Sequence, residues 1–115
     1  LATEVRYILF DEAELRQALS QHLVHITSGR AKPRVKRVEM LTRPPELTGC
    51  RVHFEYPGTT PPLDIDLRVV VSALLVQCRT MRVPIAARAE KRVEIAGTSV
   101  ALVTTLNALR PIRRR

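Results

Sequence analysis

The stretch Lys91-Arg92-Val93-Glu94-Ile95-Ala96-Gly97-Thr98-Ser99-Val100-Ala101-Leu102-Val103-Thr104-Thr105 reads as two strands folded about Gly97-Thr98. Residues on either side of that pair alternate between apolar and polar, the period of a half-buried strand. Glycine at the first loop position fits a type II′ turn. A two-residue loop fixes the register, setting Ile95 opposite Val100 and Val93 opposite Leu102, so the apolar residues of both strands share one face.

Upstream of the hairpin, residues 67–81 are apolar nearly all round, through Val69-Val70-Val71 and Ala73-Leu74-Leu75-Val76. They read as a helix, capped by Asp64 or Asp66 and stopped by Pro84, and are expected to form the more buried of two helices. Residues 83–90 form a short unassigned linker. Before the helix, Pro57-Gly58-Thr59-Thr60-Pro61-Pro62 reads as a rigid turn closing a strand at residues 50–56. An earlier strand at residues 35–41 pairs antiparallel with it across a connection, residues 42–49, that holds Pro44-Pro45.

The first helix has the plainest start in the chain. Asp11 stands three residues before Glu14 in the capping-box spacing, and Phe10 and Leu15 occupy the two positions of a hydrophobic staple. Leu15, Leu19, Leu23 and Ile26 then recur at helical spacing up to Gly29, which gives a helix over residues 12–26. Residues 4–10 precede it as a strand with apolar side chains on both faces, the pattern of a central strand.

The resulting order is β-α-β-β-α-β-β, an α+β class with an antiparallel sheet of four to five strands and two helices packed on one face. Without its last strand this is the order of a ferredoxin-like fold, and a fifth strand would extend one edge. The layout resembles that of the RNA-recognition motif, whose first and third strands present aromatics for base stacking. Here those segments are Arg6-Tyr7-Ile8-Leu9-Phe10 and Arg51-Val52-His53-Phe54-Glu55-Tyr56. The phase opposes the resemblance: with Val52, Phe54 and Tyr56 inward, the open face receives Arg51, His53 and Glu55, and no aromatic platform forms on that strand.

At 115 residues the chain fits one domain, assigned to residues 1–107, followed by a basic tail at 108–115. The longest apolar run, residues 69–76, is short and broken by Ser72, so no membrane-spanning helix is expected. Leu1-Ala2-Thr3-Glu4 lacks the basic and apolar regions of a signal peptide, which makes the cytoplasm the expected compartment. Cys50 and Cys78 are too few and too far apart for a disulfide scaffold or zinc ribbon and read as small core residues.

Charge carries what functional signal there is. Lys and Arg total 19 against 11 for Asp and Glu, a formal net charge of +8, of which Arg110, Arg113, Arg114 and Arg115 supply four. Arginine dominates, lysine appearing only at 32, 36 and 91, either from selection for phosphate contacts or from a G- and C-rich genome. The dense patches are residues 31–37, with Lys32, Arg34, Lys36 and Arg37, and the arginine tail. Arg79, Arg82, Arg88 and Arg92 form a looser cluster. The open sheet face is expected to gather Arg37, Glu39, Arg51, His53, Glu55, Arg92 and Glu94, where cross-strand ion pairs account for most of the set.

No catalytic, metal or cofactor constellation stands out. His22 and His25, three apart on a helix, offer two ligands without a marked third. Asp64 and Asp66 are better explained as caps than as cation ligands. The serines lack a Gly-x-Ser-x-Gly setting, and no glycine-rich phosphate loop is present. The first expectation is therefore a non-enzymatic domain that binds an anionic partner, nucleic acid foremost, through Lys32, Arg34, Lys36, Arg37, Arg51 and the arginine tail. The second is a protein-interaction or regulatory module, a homodimer joined at a sheet edge, in which charge only aids solubility.

Overall fold

The computed structural model of the protein describes residues 2–26, 34–43, 46–55 and 61–107. Their elements run β1 (Thr3–Phe10), α1 (Glu12–Ile26), β2 (Val35–Arg43), β3 (Glu46–Phe54), β4 (Leu63–Asp66), α2 (Leu67–Thr80), β5 (Glu90–Ala96) and β6 (Ser99–Asn107). The class is α+β, as expected, but the strands form two three-stranded antiparallel sheets, ordered β1-β6-β5 and β2-β3-β4. The single sheet of four to five strands, and with it the ferredoxin-like arrangement, is corrected.

The physical reason is β4. In a ferredoxin-like sheet the first strand would lie beside β3, yet both sides of β3 are filled, by β2 on one and by β4 on the other. β1 takes β6 instead, pairing without a break from Thr3↔Asn107 to Phe10↔Val100. β4 is only four residues long and its two aspartates read locally as helix caps. The strand becomes visible only through its pairing, Cys50↔Ile65 and Arg51↔Asp64. β1 and β3 therefore lie in different sheets, which removes the layout resemblance to the RNA-recognition motif.

Two further expectations change. Residues 42–43 and 46–49 are strand rather than connection, because β2 and β3 pair as far as Arg43↔Glu46. β1 is an edge strand, and β6 is the central strand of its sheet. β6 has Val100 and Leu102 buried on one face and Ala101 and Val103 on the other.

The hairpin register holds as expected, Ile95↔Val100 and Val93↔Leu102, and Gly97 carries the positive φ (+65°) its turn position requires. The capping box is formed: Glu14 N–H donates to Asp11 Oδ1 at 2.8 Å and Asp11 N–H to Glu14 Oε1 at 2.9 Å. Asp66, not Asp64, caps α2, accepting from Val69 N–H at 3.0 Å.

Both helices pack against each other and against strands of both sheets, rather than on one face of a single sheet. One hydrophobic cluster joins all the layers: Phe10 from β1, Leu15, Leu19 and Leu23 from α1, Cys50 and Val52 from β3, Val70, Leu74 and Cys78 from α2, and Val93, Val100 and Leu102 from the hairpin. α2 is not buried on every side, since Val76 is exposed. No helix among the described residues is long and apolar enough to cross a membrane.

Candidate anion-binding surface

The start of β2 is held in place by three ties. Val35 N–H donates to Ser20 Oγ on α1 at 3.3 Å, the Arg34 carbonyl accepts from Glu55 N–H at 2.8 Å, and the Lys36 carbonyl accepts from Arg16 Nη1 on α1 at 3.4 Å. Between Val35↔Phe54 and Arg37↔His53 the register shifts by one, so Lys36 is the extra residue of a β-bulge. Its consequence follows from the pleat. Val35 enters the core, Lys36 and Arg37 both face solvent, and Val38 is half-buried again.

The bulge thus sets Arg34, Lys36 and Arg37 together on the exposed surface, with the Arg16 side chain reaching the same stretch of backbone. Arg34 meets Glu55 only at 3.9 Å, with side chains 79% and 60% exposed, a pair of little strength that an anion could replace. The Arg16 Nε is buried and has no hydrogen-bond partner, so that guanidinium is incompletely satisfied.

Next along the sheet, His53 Nε2 lies 3.3 Å from Arg37 Nη2 and 3.2 Å from Glu39 Oε1. One ring nitrogen thus faces both a donor and an acceptor and can serve only one at a time. With a lone pair there it accepts from Arg37, and with a proton it donates to Glu39.

Arg51 does not belong to the free cations. Its Nε and Nη2 donate to Asp64 Oδ1 and Oδ2 at 2.7 and 3.1 Å, a two-pronged pair set by their opposed positions on β3 and β4. The hydrogen bond from Arg51 holds the Asp64 carboxyl below its ordinary range and raises the guanidinium in turn. Arg51 is therefore occupied within the fold. Arg92 and Glu94 pair at 2.9 Å on the other sheet, so the expected open face is divided between two surfaces. Lys32, Arg110, Arg113, Arg114 and Arg115 lie outside the described residues.

Elsewhere the structure offers little chemistry. An open groove of about 450 Å³ is lined by Leu75, Arg79, Val83, Pro84, Ile85 and Lys91. The Lys91 ammonium is fully engaged there, donating to the carbonyls of Ala86, Ala87 and Ala89 at 2.8–3.2 Å. Burial pushes the Cys50 thiol up to about 11 and raises Cys78 as well, so neither is a thiolate at neutral pH. Among the described residues no group of three or more His, Cys, Asp or Glu side chains could hold a metal ion.

Arg16 is the residue that sequence reasoning missed. Its approach to β2 is a tertiary contact across twenty positions with no local signal. The bulge did leave a trace, since the inward residues Val35, Val38 and Met40 are spaced three and then two apart where an unbroken strand would keep to two. Compared with known proteins, the chain matches no family model, no curated protein and no solved structure.

Proposed function

We propose that this chain is a non-enzymatic binding domain whose partner is an anionic polymer, nucleic-acid backbone foremost. Arg34, Lys36 and Arg37 are its contact residues on the described surface. The observation that carries this reading is the bulge at Lys36, which turns two successive cations outward beside a third. A rigid strand presenting cations without an aromatic platform suits phosphates rather than bases, and so affinity without much sequence choice. Lys32 and the arginines of the tail would extend the contact from both ends of the charged stretch. Arg51 is left out of the set because Asp64 already fills its fork.

Mapping backbone amide shifts by NMR, as a single-stranded oligonucleotide is added at low salt, tests this reading. Shifts concentrated at residues 34–37 and at His53, with β5 unmoved, are expected. Saturating oligonucleotide with no shift at residues 34–37 would overturn it.

A second reading, a protein-interaction module, is favoured by a different observation: Val5, Tyr7 and Leu9 stand exposed on an edge strand.

A further inference from the structure

Two three-stranded sheets have four edges, and three of them carry the features that keep edges from pairing. β2 has the bulge at Lys36, charged Arg37 and Glu39, and the Arg16 guanidinium on its backbone. β4 is four residues long, bears Asp64 and Asp66, and runs straight into α2. β5 carries Lys91, Arg92 and Glu94.

β1 carries fewer of these features: it has no bulge, and its charged residues are Glu4 near its start and Arg6. It is eight residues long, contains no proline, and pairs with β6 without a register shift. Among the described residues no backbone group of β1 bonds to anything but β6 across the sheet. Its outward side chains are Val5, Tyr7 and Leu9, exposed at 46, 59 and 60%. The one arginine of the strand, Arg6, is half-buried and donates its Nη1 to the Pro84 carbonyl at 2.7 Å, so it does not guard the edge.

That stripe is also self-complementary. In an antiparallel pairing of two β1 strands centred on Tyr7, Tyr7 faces its own copy and Val5 faces Leu9 in both directions. All six side chains then fall on one face, with no charge among them. For a chain of net charge +8, an uncharged stripe lets two copies meet with less repulsion than a basic surface would. An isologous contact of this kind closes on itself as a twofold dimer.

We propose that the free edge of β1 is the docking site for a second copy of this chain, joined β1 to β1 about Tyr7. The two sheets then continue as one of six strands, β5-β6-β1 followed by the same three reversed. This inference rests on the protein-interaction reading and names its partner. It is independent of phosphate binding at β2, so either can fail alone.

Sedimentation equilibrium of the full chain, with no nucleic acid present, gives the test. The expected mass is twice the 13.0 kDa of one chain. Y7K, which sets like charges opposite each other at the twofold, should weaken the dimer by about tenfold or more, while V76K on the exposed side of α2 should not. Y7C should oxidise to a disulfide-linked dimer because the two thiols meet at the axis, whereas I95C should not. A monomer at all concentrations, or a dimer indifferent to Y7K and not crosslinked by Y7C, would overturn the proposal. So would a chain that dimerises only when ended at Asn107, since the tail would then be the occupant of the edge.

Discussion

Single residues fix where the strands of the second sheet can lie. Gly49 sits where β4 passes so close that a Cβ would run into the Ile65 carbonyl oxygen, a backbone atom with no freedom to yield. Gly49→Ala should therefore lower stability by about 3 kcal/mol, read from urea unfolding, because β4 must move away from β3. Asp64 ties the same two strands through Arg51. Its carboxyl is held below an ordinary value near 3.8, so the stabilisation is complete above that pH and is lost as pH falls through the lowered value. R51Q should be less stable than the parent at neutral pH, and urea midpoints of the two should converge as the pH is taken below the lowered Asp64 value. A constant difference across that range would refute the assignment. The caps were legible at this scale: Asp11 with Glu14, and Asp66 before α2, carry their signal within four residues. The ion pair of Arg51 was not, because its partner stands on a strand that local sequence disguises as a cap.

At the scale of elements, helix ends and hairpins were readable and strand neighbours were not. α2 ends as Pro84 implies, with Arg82 N–H bonded to Arg79 O at 3.1 Å and Val83 N–H to Cys78 O at 2.8 Å. This is the pattern in which the residue after the C-cap turns left-handed, a place usually held by glycine. Here Arg82 takes it, at φ +59°. Arg82→Gly should raise stability by about 1 kcal/mol by removing the clash of a Cβ in that conformation, measurable as an upward shift in Tm. No gain would mean that the arginine side chain contributes contacts offsetting the strain. The alternation of residues 4–10 was read as a central strand because both faces are apolar. Residues with that pattern serve equally in a strand buried on both sides and in an edge strand with one face exposed. β6 is the former; β1, with Val5, Tyr7 and Leu9 exposed, is the latter.

For the whole molecule, the class and every element but β4 followed from periodicity, whereas the division into two sheets depended on which strands compete for β3. That competition is settled by non-local pairing, to which β4 contributes only four residues. The same division decides the charge pattern. Arg51 and Arg92, on different sheets, are each answered by an acid at 2.7–2.9 Å, whereas the start of β2 has its cations gathered with little opposition. We propose that this gathering binds phosphates. The direct measurement is fluorescence anisotropy with labelled single-stranded and duplex oligonucleotides, as a function of salt, comparing the full chain with a K36S/R37S variant. Each phosphate contact on a duplex adds about −0.9 to the slope of log affinity against log salt. Binding should fall steeply with salt, and the variant should bind more weakly with a slope shallower by about 2, one unit for each cation removed. No binding at low salt, or a variant indistinguishable from the parent in affinity and slope, would contradict it.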